Sequence, residues 1–368
     1  MKVIAFYLPQ YHRTKENDEW WGTGFTEWTN VAMAKPLFRG HYQPKIPTEL
    51  GFYDLRFAEV REEQARLARE AGIDAFCYWH YWFGNGKKLL NMPFEKVVSS
   101  GKPDFPFCLA WANHSWYKKS WKSTAKNFEL PRGSKLLAEQ TYPGLDDIDN
   151  HFYYLLSAFR DDRYLKIDNR LVFVIYDPLG MPDWELFKSR WQELSRKEGL
   201  GGFFFIAHTL KREYIERIKE KGFDAINFSS HHQAFPKKEA AYGLKKYLSV
   251  LRNTYAIKPQ VIEYSRAIEL MKSELFYDEC IYPTIIPNWD HTPRSGNFGT
   301  CFNNCTPDLF KDHVNYMLSV IRHKQTPNQV LFLKSWNEWG EGNYMEPDIR
   351  YGDAHIRTLK RCLEMFSE

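Results

Sequence analysis

Eight short apolar runs, each followed by a stretch of helical spacing or a long loop, set the tightest limit on what this chain can fold into. The runs are Lys2–Leu8, Ile73–Trp79, Phe105–Trp111, Leu171–Tyr176, Phe203–His208, Ala225–Ser229, Ile281–Pro287 and Val330–Ser335. Apolar runs this short, bounded by turn residues, read as strands buried on both faces of a parallel sheet. Helical spacing fills Leu55–Ala71, Ile148–Arg160, Asp183–Lys197, Arg212–Lys221, Tyr242–Tyr255, Pro307–His323 and His355–Phe366. Such alternation predicts successive βα units. No G-x-G-x-x-G turn follows the first run, so a closed (β/α)₈ TIM barrel is expected rather than an open doubly wound sheet. A length of 368 residues suits one such barrel over 1–368 with insertions. The stretches 9–50 and 112–145 are rich in Trp, Tyr, Gly and Pro and follow strand ends. Long loops in such places are expected to wall a cleft. Pro259–Tyr264 reads as a further extended segment without a place in the barrel.

Charge and cysteine usage narrow the partners. The 50 Lys and Arg nearly balance 46 Asp and Glu, and no run of like charge is long enough for a nucleic-acid arm, so no nucleic-acid partner is expected. No stretch approaches the roughly 18 apolar residues of a membrane helix. The opening Met1–Pro9 lacks a small-residue cleavage site and reads as a first strand, not a signal peptide, so a cytoplasmic protein is expected. Six cysteines are too sparse for a disulfide framework. Cys301-Phe-Asn-Asn-Cys305 has suggestive spacing but no second pair near it, and no H-E-x-x-H pair appears. Neither a metal nor another cofactor is expected.

In a barrel of this kind the active site lies at the C-terminal ends of the strands. Those ends carry Tyr7, Gln10 and Tyr11 after the first strand; Tyr78, His80, Tyr81 and Trp82 at the second; Trp111 and Asn113 at the third. Tyr176 and His208 close the fourth and fifth, His231 follows the sixth, and Asn288, Trp289 and Asp290 follow the seventh. The eighth runs into Trp336 and Asn337, and Trp28 lies in the first long loop. Rings that pack on pyranose C–H faces, mixed with planar hydrogen-bonding groups, are what an oligosaccharide or polysaccharide site needs. Tyr7, Trp111, Asn288 and Glu338 are expected to line one cleft.

Ser335-Trp-Asn-Glu-Trp-Gly-Glu-Gly342 is the most specific signal. It sets Glu338 and Glu341 three residues apart at a strand terminus between two tryptophans. Paired carboxyls, one protonated and one ionised, are the equipment of glycosidic-bond chemistry, so these two are the candidate acid/base residues.

The chain resembles the WbsX-type proteins of bacterial polysaccharide clusters, related to glycoside hydrolase family 99. The stretches that carry the likeness are Ala5–His12, Gly24–Asn30, Tyr78–Phe83, Leu109–Asn113, Asn288–Asp290 and Trp336–Glu341. The resemblance implies a (β/α)₈ barrel with Glu338 and Glu341 as the catalytic pair. Family 99 enzymes are retaining endo-α-mannosidases thought to work through a 1,2-anhydro sugar. That implies Glu338 as the base assisting O2 and Glu341 as the general acid/base, in a glycosidase or transglycosidase acting on a bacterial surface polysaccharide or its precursor. The motif differs at Gly340, where family 99 has a bulkier residue. Two alternatives stay open: a glycosyltransferase of lipopolysaccharide or capsule synthesis, and a catalytically silent carbohydrate-binding barrel. A nucleotide-sugar enzyme would show a diphosphate-binding helix N-terminus or an Asp-x-Asp motif, whereas Asp146-Asp147 and Asp161-Asp162 read as surface charges.

Overall fold

The computed structural model describes residues 1–117, 135–235 and 258–368. Eight parallel strands form the centre: β1 (Lys2–Tyr7), β2 (Ala75–Trp82), β3 (Phe107–Trp111), β4 (Arg170–Ile175), β5 (Phe203–Thr209), β6 (Ala225–Phe228), β7 (Ile281–Ile285) and β8 (Val330–Leu333). Each pairs with its neighbours in sequence order, and β1 pairs with β8 on one side and β2 on the other, so the sheet closes into a (β/α)₈ barrel. All eight expected strands are present with ends shifted by a few residues.

Helices on the outside supply the second layer. The first loop contains α1 (Lys15–Trp21) and α2 (Glu27–Met33), and the barrel helices proper begin with α3 (Ala58–Glu70). After it come α4 (Met92–Ser100), α5 (Leu145–Phe159), α6 (Trp184–Lys197), α7 (Ile215–Lys219), α8 (Tyr264–Met271), α9 (Thr292–Ser295), α10 (Pro307–Arg322) and α11 (Ala354–Ser367). The short α1, α2, α4, α8 and α9 were not legible as periodic segments, because one or two turns hold too few apolar positions to show a period. The expected helix Tyr242–Tyr255 lies outside the described residues. The segment within Pro259–Tyr264 does find a partner: Gln260–Glu263 pairs in parallel with Thr300–Asn303, apart from the barrel.

Strand pleating decides what each residue faces. Phe6, Trp79, Phe332 and His208 meet inside the ring, with Phe6 stacked on Trp79 at 4.8 Å and on Phe332 at 5.3 Å. Their chain neighbours Tyr7 and Tyr78 point outward and pack against each other at 4.6 Å, beneath the helix layer. All eight residues of β2 are buried, as a strand covered on both faces must be. Among the described residues no helix is long and apolar enough to cross a membrane.

Candidate active site

Beyond β8 the chain doubles back at the barrel mouth. Asn337-Glu338 pairs antiparallel with Asn343-Tyr344, and Gly342 turns between them at φ +52°, where an added Cβ would lie 2.6 Å from Asp290 Cβ. The segment is sewn to the end of β1. The Trp336 N–H donates to the Phe6 carbonyl at 2.8 Å; Asn337 accepts from the Leu8 N–H at 2.7 Å and donates to the Leu8 carbonyl at 3.1 Å. The Trp339 N–H donates to the Tyr11 hydroxyl at 2.9 Å.

These bonds aim Glu338 and Glu341 into a cavity of about 620 Å³ at the C-terminal mouth. Lys334, the first residue past β8, points into the same space. Its Nζ lies 2.9 Å from Glu338 Oε2 and 3.8 Å from Glu341 Oε2, and 6.0 Å from the ring centres of Trp79 and Trp289. Ser335 Oγ donates to the same Glu338 oxygen at 2.9 Å. Glu341 Oε1 takes Arg294 Nη1 at 2.5 Å, and Arg294 also reaches Glu27 Oε2 through Nε at 3.1 Å and Nη2 at 3.0 Å. Burial opposes the Lys334 ammonium, yet Glu338 and Glu341 outweigh it and hold its pKa above the ordinary value. Burial likewise works against Arg294, and Glu27 and Glu341 more than restore its charge.

Other parts of the lining are neutral and aromatic. Burial drives His208 down to about pKa 3, and burial, with His232 and Lys334, holds His231 well below its usual value. Asn227 fixes the His208 tautomer: its amide N donates to Thr284 at 2.8 Å, so its oxygen faces His208 Nδ1 at 2.6 Å and that nitrogen carries the hydrogen. Gln10, Tyr81, Tyr176, His208, His231 and Trp289 join Glu338 and Glu341 along the cavity.

Other sequence candidates take different places, and the common cleft expected for Tyr7, Trp111, Asn288 and Glu338 must be corrected. Tyr7, Tyr78, His80, Trp82 and Trp111 have the outward strand parity. Tyr7 donates to Gln64 of α3 at 2.6 Å; His80 meets His151 of α5, Nε2 to Nε2, at 2.8 Å; Trp82 stacks on His151 at 4.7 Å. Trp111 donates to the Trp82 carbonyl at 2.9 Å and packs on Phe187 of α6. Tyr11 and Trp28 brace the doubled-back segment and pack on each other at 4.6 Å, while Trp336 at its start packs on Phe76 at 5.5 Å and Asn337 within it bonds the Leu8 backbone. Asn113 exchanges hydrogen bonds with the Asp177 backbone at 2.8 and 2.9 Å, and Asn288 does the same with Tyr344 at 3.1 and 3.3 Å. Conversely, the cavity includes Glu27, Arg294 and Lys334, which lie outside the strand-end clusters, and Trp79, His232 and His291, which stand within those clusters but are not among the candidates singled out from them. Trp79 was recoverable from parity, being two residues before Tyr81 on one strand.

Asp290 lies in a separate buried cluster with His41 and Cys301, whose ligand atoms fall within 4.8 Å of one another. His41 Nδ1 accepts the Leu37 N–H at 3.1 Å, so its proton is on Nε2, which donates to Asp290 at 2.8 Å. A protonated nitrogen cannot ligate a cation. Gln43 and Thr292 donate to the same carboxylate at 2.6 Å each, which makes the cluster a hydrogen-bonded carboxylate cage that ties the first loop to the end of β7.

With this geometry in view the comparisons are direct. The profile of the family described as "Glycosyltransferase WbsX" matches residues 3–359. The chain belongs to the WbsX family. Proteins named WxcX from two strains of Xanthomonas campestris pv. campestris are 33% identical over 372 residues, covering 98% of this chain and 49% of theirs. The WbsX-type chain thus spans about half the length of those relatives. Among solved structures, a GH99 endo-alpha-mannosidase from Bacteroides thetaiotaomicron superposes with a TM-score of 0.59 at 14% identity, covering 100% of this chain and 97% of the mannosidase. A glycoside hydrolase-like protein gives a TM-score of 0.60 at 15% identity, covering 98% and 93%. At such identities the likeness is one of fold, and it agrees with the closed barrel.

Proposed function

We propose that this WbsX-family barrel is a glycan-processing enzyme, a retaining glycoside hydrolase or transglycosidase acting on a bacterial surface polysaccharide or its precursor. The observation that carries the reading is the pair Glu338 and Glu341 set around one ammonium in an aromatic cavity at the catalytic end of the barrel. Contacts of 2.9 and 3.8 Å to one Lys334 Nζ leave the two Oε2 atoms at most about 6.7 Å apart, the two contacts laid end to end. Inversion needs carboxyls roughly 6.5–9.5 Å apart to admit a water between them, a range this spacing meets only at its lower edge, and the resemblance to family 99 adds the preference for retention.

The roles divide by environment. Lys334 Nζ and Ser335 Oγ both donate to Glu338 at Oε2, which leaves Oε1 to take the proton of a sugar 2-hydroxyl. As that proton leaves, O2 attacks C1, and the glycosidic oxygen departs with the proton of Glu341. A water or acceptor hydroxyl then opens the 1,2-anhydro ring at C1 and gives its proton to Glu341, while Glu338 returns its proton to O2. Trp79, Trp289 and the neutral His208 and His231 would hold the sugar. The family's description as glycosyltransferases favours transfer to an acceptor sugar as the second outcome of the same intermediate. Among the described residues, the two cations on the cavity wall, Lys334 and Arg294, are both engaged by carboxylates, an unpromising setting for a nucleotide diphosphate.

The test is to incubate the purified chain with α- and β-linked oligosaccharides, with and without sugar nucleotides, and read the first-formed product by NMR. Retained configuration without a nucleotide is expected. Inverted product, or turnover only with a sugar nucleotide, would discard the reading.

A further inference from the structure

We infer that Glu27 is a positioning residue of the acid/base pair: it grips one edge of Arg294, so that the guanidinium is shared between two carboxylates and not committed to Glu341. The inference rests on the reading of Glu341 as general acid/base. Glu27 is the first residue of α2, within the Gly24–Asn30 stretch, and is only 3% exposed. Arg294 presents Nε and Nη2 to Glu27 Oε2 and Nη1 to Glu341 Oε1. A planar guanidinium can serve two anions at once only along separate edges, and here each edge has its own.

Gly340 makes room for this arrangement. A Cβ added there would lie 2.0 Å from Glu27 Oε2 and 3.0 Å from Arg294 Nε. The third carboxylate therefore occupies the space that a side chain at position 340 would claim. The departure at Gly340 and the presence of Glu27 are two sides of one packing solution.

The chemical consequence concerns where a proton can sit. A carboxylate held by an undivided arginine gives up its affinity for protons, which is the wrong setting for a general acid. A second anion on the same guanidinium weakens that hold and adds negative potential. Among the described residues, the groups facing Glu341 include Arg294 and His291 from α9 and its cap, Lys334 from the end of β8, His232 after β6, and the phenols Tyr81 and Tyr176. Glu338 and Glu27 are the anions beside them. Among the described residues, three carboxylates thus stand against the two cations Lys334 and Arg294.

The experiment is a pH titration of the full chain with ¹³C-labelled glutamate carboxyls, the Glu341 signal being assigned by its loss in Glu341→Gln. In Glu27→Gln the Glu341 midpoint should fall by about one pH unit or more, the scale of an added uncompensated cation. Gly340→Ala keeps every charge but pushes Glu27 off Arg294, so the midpoint should fall there too, by less. Should Glu27→Gln fail to fold, Gly340→Ala carries the test. A midpoint that stays put or rises in the folded variant overturns the inference. If the midpoint falls as expected but Glu341→Gln still cleaves glycosides, the sharing of Arg294 between Glu27 and Glu341 stands, while the acid/base reading falls and with it the positioning role of Glu27. If cleavage needs Glu341 while its midpoint ignores Glu27, the inference falls and the acid/base reading stands.

Discussion

Lys334 and Glu338 form a buried ion pair across the turn that leaves β8, with Nζ 2.9 Å from Oε2 and side chains only 8% and 7% exposed. Removing one partner of such a pair strands the other charge away from water, at a cost of about 3–5 kcal/mol. Lys334→Met should therefore lose stability of that order in urea unfolding, and adding Glu338→Gln should recover part of it. A loss under about 1 kcal/mol would mean that water already reaches Glu338.

The two glutamates should separate by leaving group. Glu338→Gln and Glu341→Gln should each lower kcat by orders of magnitude on an oligosaccharide while largely sparing binding. An aryl glycoside with a good leaving group needs little acid help, so Glu341→Gln should keep much of its first-step rate there and Glu338→Gln should remain slow. A 2-deoxy substrate that turns over normally would remove O2 from the mechanism.

Aromatic substitutions should divide by strand parity. Trp116 is partly exposed on the cavity wall against Tyr81, and its change to Ala should weaken oligosaccharide binding by about 1–3 kcal/mol with little effect on folding. Trp111 is wedged among Tyr142, His151 and Phe187, so Trp111→Ala should cost about 3–5 kcal/mol of stability. Calorimetric binding and thermal unfolding of the two variants give the comparison, and a stable Trp111→Ala that binds poorly would move that ring into the cavity.

Glu346 lies beside the turn that carries Glu338 and Glu341 and accepts from Trp339 Nε1 at 2.6 Å, Gln64 Nε2 at 2.6 Å and the Tyr53 hydroxyl at 2.9 Å. Burial raises its pKa to about 7 in spite of these donors. A carboxyl raised in the folded state binds its proton more tightly there than in the unfolded chain. Its contribution to stability is thus complete at pH below about 4.5 and declines as pH climbs to about 7, by about 3 kcal/mol at most. Glu346→Gln should lack this component, so the stability difference between the two proteins should drift in the variant's favour across that window. A difference independent of pH would show an ordinary carboxyl.

The barrel was legible because strands covered on both faces leave unbroken apolar runs, and eight of these survive in the sequence. The site was legible only in part. Sequence position located the strand ends, but Tyr78, His80 and Trp82 alternate with Trp79 and Tyr81, and a cluster read without parity mixes the cavity with the layer behind it. Glu27 and Arg294 meet across 267 residues, in loops where no period marks which side chain turns inward. Lys334 stands in the same short stretch as the glutamates, and its role depends on the chain doubling back, which no local pattern announces.

The stitching of Trp336, Asn337 and Trp339 to Phe6, Leu8 and Tyr11 has a consequence for the timing of biosynthesis. The bond from Leu8 to Asn337 spans 329 residues, so the glutamates gain their orientation only when the last strand of the ring has closed on the first. A nascent chain still emerging from the ribosome carries Trp79 early, but the segment from Lys334 to Glu341 has no fixed geometry until β8 pairs with β1. The candidate pair is set only at ring closure.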